Sequence, residues 1–163
     1  MSSSHTYGVI DLASAVDFRS PVVALSPPKG CSLLDEETYF DTLAVGPWLI
    51  DLDLCPDIGA VWRKEVRDRS CGYTVFTDLA LADLRRHLRK FALAELEDAP
   101  KPVFFRYFDA RVIRTFLTGG FTDAQRAQFL APFDGLEVAA ADGTGTQYFE
   151  PDAAPVSAVA QGG

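Results

Sequence analysis

Apolar residues along this chain recur with a period that switches between the two-residue repeat of strands and the 3.6-residue repeat of helices. Residues 7–12, YGVIDL, predict a first strand after a disordered start at 1–6. Residues 21–25, PVVAL, predict a second β run, ended by the Ser-Pro-Pro-Lys-Gly turn at 26–30. Residues 32–34 predict a short edge strand, and 35–43 a short amphipathic helix with Tyr39, Phe40 and Leu43 on one face. Residues 48–54 alternate: Trp48, Ile50, Leu52 and Leu54 share one face, and Asp51 and Asp53 the other, which is expected to be wet. A helix capped by Asp57 follows to about residue 67, and then a strong β run, YTVFT, at 73–77.

The second half is organised around residues 102–117, PVFFRYFDARVIRTFL. The pattern predicts a strand running into a helix. Val103, Phe105 and Tyr107 fall on one strand face and Phe104, Arg106 and Phe108 on the other, so both faces are covered, as in a central strand. Asp109 stands where an N-cap belongs, with Val112, Ile113, Phe116 and Leu117 following at helical spacing. Arg106 in such a strand needs a partner if buried, and Asp109 is the nearest in sequence. Before this segment, a helix capped by Thr77 or Asp78 runs to about residue 91. Its core stripe is Leu81, Leu84, Leu88 and Phe91, opposite Arg85, Arg86, Arg89 and Lys90. Residues 92–97 then pair with 102–108 as a hairpin. After Gly119-Gly120, Thr122 and Gln125 form a capping box for a further helix that Pro132 stops. Residues 136–139 and 143–149 supply the last strands. The pattern predicts a single α/β domain over 7–150, a mixed β-sheet flanked by helices, with a flexible tail at 151–163 poor in residues to bury.

Charge adds one feature. The net charge of −8 argues against general nucleic-acid binding, but it is unevenly spread. Residues 61–114 hold twelve bases and eight acids, while the flanking segments are strongly acidic. A basic middle could form a polar binding face or simply a solvated helix surface. No basic n-region with a long apolar stretch opens the chain, so no signal peptide is expected, and no apolar run approaches a bilayer span. Cys31, Cys55 and Cys71 form an odd set without close spacing, as expected of reduced thiols in the cytosol.

Candidate chemistry is sparse. The two histidines, His5 and His87, lie in no metal-ligand spacing, so no metal or other cofactor is expected. Glycine-rich phosphate loops and the G-x-S-x-G elbow are missing. Cys71, His87 and Asp109 would make a Cys–His–Asp hydrolase only if folding brought them together, and Asp51 with Asp53 could serve acid–base work. A wet strand face explains that pair more simply.

Five segments in order resemble one family, the domain of unknown function numbered 4123, adaptor chaperones that load effectors in type VI secretion. They are YGVIDLA at 7–13, SLLD at 32–35 with GPWLIDL at 46–52, the strand 74–77 with LRRHLR at 84–89, FRYFDARVI at 105–113, and the closing stretch 121–135. Ala110 stands where the family usually has proline, a change that an N-terminal helical turn tolerates. The resemblance implies a non-enzymatic cytoplasmic adaptor that binds a cognate effector protein and delivers it to the VgrG spike, without nucleic acid or membrane as partner. On it, Trp48, Arg85, Arg86, Arg89 and Arg111 are the expected protein-binding residues, and Arg106 with Asp109 a structural ion pair and cap. A toxin-binding immunity or regulatory module is the alternative from another class.

Overall fold

The computed structural model describes residues 4–34, 40–94 and 98–151. Its strands are β1 (His5–Asp11), β2 (Gly30–Ser32), β3 (Pro47–Asp51), β4 (Gly72–Thr77), β5 (Leu93–Ala94), β6 (Val103–Phe104), β7 (Gly135–Ala139) and β8 (Thr146–Phe149). Its α-helices are α1 (Arg19–Val23), α2 (Pro56–Trp62), α3 (Leu81–Arg89), α4 (Ala110–Thr115) and α5 (Asp123–Leu130). Six strands form one sheet in the order β2-β3-β1-β4-β7-β8, and β5 and β6 pair separately. The expected α/β single domain stands. Within the sheet every pairing is antiparallel rather than mixed, because the helices join strands without making parallel crossovers.

β1 shows why the sheet sits inside the molecule. Its side chains alternate between two cores: Tyr7 and Val9 enter one, Ile10 the other. The first core is closed by Leu84 and Leu88 of α3, Ile113 of α4, and Phe129 and Leu130 of α5. The second is closed by Val22 of α1 and by Ile58 and Trp62 of α2. Gly8 is required here: a Cβ at this position would run into the Trp62 ring. That ring is fixed by its Nε1–H, which donates to Thr74 Oγ1 at 2.9 Å.

Several elements differ from the sequence pattern for identifiable reasons. Residues 21–25 are not a strand. Pro21 lies in the first turn of α1, where its missing N–H is not needed and its fixed φ suits a helix. The wet face expected at Asp51 and Asp53 forms only at Asp53, which is exposed beyond the end of β3. All five β3 residues are buried, and Asp51 is 4% exposed, its Oδ1 accepting from the N–H groups of Asp53 and Leu54 at 3.0 and 3.1 Å. Asp51 therefore builds the turn after β3 instead of facing water. β1 starts at His5, within the stretch expected to be loose, while residues 1–3 lie outside the described residues. The caps expected at Asp57 and at Thr77 or Asp78 are not used. α2 starts at Pro56 and α3 after Ala80, neither with a side-chain cap bond. The helix expected over 35–43 is described only from residue 40, as a 3₁₀ helix (Phe40–Val45), and the tail at 152–163 lies outside the described residues.

The largest correction concerns 102–108. β1 and β4 fill the middle of the sheet, and β6 pairs only with β5. The chain then folds over the first core as a covering segment. Phe105, Tyr107 and Phe108 are buried, and the Tyr107 carbonyl accepts from the buried Tyr73 hydroxyl at 2.9 Å. A short apolar run is equally consistent with a buried strand and with a lid of this kind. Among the described residues, no helix is long and apolar enough to cross a membrane.

Candidate functional site

The FRYFDAR segment ends in a corner built from two buried carboxylates and two exposed guanidinium groups. Asp109 caps α4, its Oδ1 accepting from the backbone N–H of Arg111 at 3.0 Å, as the pattern predicts. The Arg111 side chain folds back on the same carboxylate at 3.2–3.3 Å. Arg106 reaches Asp109 at 3.6 Å and Asp11, at the end of β1, at 3.3 Å. Its guanidinium carbon also lies 5.5 Å from the centroid of the Phe108 ring. Asp11 accepts from the Ala13 N–H and the Ser14 hydroxyl as well, both at 3.1 Å. Burial alone would raise the Asp109 carboxyl. The hydrogen bonds and charge of Arg111, and then Arg106, outweigh it and hold the group below the usual carboxylate range. The corner thus joins β1 to α4 and leaves Arg106 and Arg111, 51% and 66% exposed, on the outside. Asp11 escaped the sequence reading because its partner is 95 residues away.

The arginines of α3 divide by role. Arg85 is half-buried, its Nε donating to the Ser32 carbonyl at 2.8 Å and its NH2 to Leu34 O at 3.0 Å. It clamps α3 to the chain at the sheet edge. Arg86 is exposed and pairs with Asp83 one turn earlier at 2.9 Å, and Arg89 is also exposed. Trp48, expected at a binding surface, is 5% exposed, and its indole N–H donates to Leu43 O at 2.7 Å. It is a core residue, since β3 is covered on both faces.

The Cys–His–Asp constellation does not assemble. Cys71 packs against the second core, its thiol near Ser14 O, and burial pushes that thiol up. His87 lies across the sheet among Phe91, Phe129 and Phe133. Its Nε2 is 2.8 Å from the Phe129 carbonyl, so that nitrogen bears the proton. Burial lowers the His87 pKa, with the Phe129 bond opposing and nearby Lys90 adding to the shift. Among the described residues, no group of three His, Cys, Asp or Glu side chains is placed to hold a metal ion.

Eight of the twelve phenylalanines fall between residues 91 and 133, and they produce the feature the sequence reading missed. A groove of about 1010 Å³ lies between the end of α3, the β5–β6 pair, the end of α4 and α5. Phe105, Phe116 and Phe121 pack ring on ring along it, with centroids 4.7–5.8 Å apart. After α4 the chain continues as a π-type turn over Phe116–Gly120 that breaks from helical geometry at Gly119, and Thr118 Oγ1 donates back to Arg114 O at 2.9 Å. Such π-type turns are common where a helix meets a functional surface. At the rim Leu93 is 63%, Phe104 53% and Val103 39% exposed. Contiguous exposed apolar side chains around a concave surface mark an interaction site more strongly than scattered ones.

Comparison with protein families matches residues 6–128 to a domain of unknown function (DUF4123). Comparisons with curated proteins and with solved structures find no match.

Proposed function

The chain belongs to the DUF4123 family, and on that premise we propose that it is a non-enzymatic adaptor chaperone working in the cytoplasm, which binds a type VI effector and helps load it onto the VgrG spike. The family's name assigns no function, so the reading draws on the segment-by-segment resemblance and on the shape of the molecule. The observation that carries it is the open aromatic groove with Leu93, Val103 and Phe104 at its rim. Apolar surface left in water is a cost that folding does not explain, and a protein partner that covers it removes that cost. Arg86, Arg89, Arg106 and Arg111 are exposed, and Arg86, Arg106 and Arg111 each pair with an aspartate of this chain, so they offer a partner polar contact points at the surface rather than chemistry.

Affinity purification after co-expression with candidate type VI effectors and a VgrG spike from the same genome tests the reading. An adaptor retains the effector and joins it to the spike in one complex. Retention of the effector alone with loss of its toxicity would make the chain an immunity protein, and retention of neither would refute both.

A further inference from the structure

The groove is larger than a contact patch needs, and its construction narrows what fits. Its volume of about 1010 Å³ is at the upper end for a small-molecule pocket. Exposure of Leu93 and Phe104 leaves it open along the rim, where a small ligand would stay half in water. Two kinds of chain segment could lie there. An extended strand would have to add to β5–β6, whose described ladder is two residue pairs, Leu93↔Phe104 and Ala94↔Val103. That ladder is too short to fix a strand's register. The remaining walls are helical: the end of α3, the π-type turn after α4, and α5. Rows of side chains on these walls present the ridges into which a further helix packs.

Charge supplies the rest. Among the described residues lining the groove, Lys90 bears the one formal charge, and burial disfavours the charged form of His87. Lys90 follows the last turn of α3 and is exposed. Gln125 and Gln128, three residues apart on α5, add neutral amides to one wall. A segment rich in lysine or arginine would meet no counter-charge among the described lining residues, whereas one acidic residue would meet Lys90. We infer that the groove takes an amphipathic helix of the cargo protein, its apolar stripe seated on Phe91, Phe104, Phe116 and Phe121 and an Asp or Glu in its first turn paired with Lys90. An acid in that turn also suits the helix's own dipole, so the pair sets the direction in which the helix lies. The identification of the helix as cargo rests on the adaptor reading; its chemistry does not.

Selection of random 16-residue peptides on the whole protein tests the chemistry directly. Binders are expected with apolar residues at i, i+3 or i+4, and i+7, and an acid near the N-terminus. Phe104→Asp and Leu93→Asp alter exposed side chains, so the fold should survive, verified by an unchanged melting curve. Each is expected to weaken the selected peptides at least tenfold. Lys90→Glu should reverse the preference, favouring peptides with a lysine in place of the acid. Binders without helical periodicity, binders indifferent to both aspartate variants, or no binders would overturn the inference. A wild-type protein that binds such peptides but captures neither effector nor spike would instead sink the adaptor reading and leave the groove assignment standing. Aspartate variants that still load effector at wild-type levels would separate the groove from cargo binding and overturn the inference alone.

Discussion

Replacing Asp109 tests the corner that joins β1 to α4. Asp109→Ala removes the acceptor for the Arg111 N–H, and caps of this kind contribute about 1 kcal/mol, within a range of about 0.5–2. The guanidinium contacts add less, since Arg106 and Arg111 are largely in water, which screens them. Arg106 also keeps Asp11 as a partner. The expected loss is therefore about 1–2 kcal/mol by the cap range. For a chain of this size that is a fall of about 2–8 °C in Tm.

Asp109→Asn separates cap from charge. Asparagine caps about as well as aspartate, so it should lose only a few tenths of a kcal/mol near pH 7. The Asp109 pKa is depressed in the folded state. Its charge-dependent contribution is thus present above the unfolded carboxylate value of about 3.9 and is lost as pH falls through the lower folded value. Wild type and Asp109→Asn should accordingly converge in acid, with the alanine variant below both. Urea denaturation at pH 7 and in steps down to pH 3 measures all three. Equal cost for asparagine and alanine would refute the cap as the main effect, and an alanine variant as stable as wild type would refute the corner as a brace.

Arg85→Ala strands the Ser32 and Leu34 carbonyls and should cost about 1–2 kcal/mol, whereas Arg86→Ala should stay within about 0.5, as measured by chemical denaturation. For His87 the folded pKa lies below the unfolded value of about 6.5, so its contribution is complete above that pH and declines as pH falls below it. Wild type should lose stability between pH 7 and 5, and His87→Gln should lose less over the same interval; parallel thermal melts would exclude His87 as a source of acid sensitivity.

Signals that act over a few residues were legible in the sequence. The Thr122–Gln125 capping box forms with both of its bonds, at 2.9 and 3.2 Å, and Asp109 caps its helix. The Leu81, Leu84 and Leu88 stripe is the buried face of α3. What could not be read were choices made by distant chain. The apolar run around Phe105 satisfies strand and lid alike, and only the filling of the sheet centre by β1 and β4 decides between them. Arg85 and Arg86 are neighbours of identical type, yet one clamps β2 and the other meets water, because the helix turns them in different directions. Trp48 was expected at a binding surface on the family resemblance, but its face, shared with Ile50 and Leu52, is buried in the second core and its indole N–H is taken up by Leu43 O. The groove was hidden for the same reason: it is made of phenylalanines that any core would use.

The hairpin of β7 and β8 has a practical consequence for dissecting the protein. It covers the flank of β4 through Thr74, Val75 and Phe76, and Arg67 grips Glu137 from beneath. A fragment ending with the family match at residue 128 would strip that flank bare, offering unpaired amides beside Tyr73 and Val75 to any neighbouring chain. Such a fragment is expected to precipitate or stick to itself, and its binding data would report on the wound. Deletions meant to map partners should therefore begin beyond Phe149.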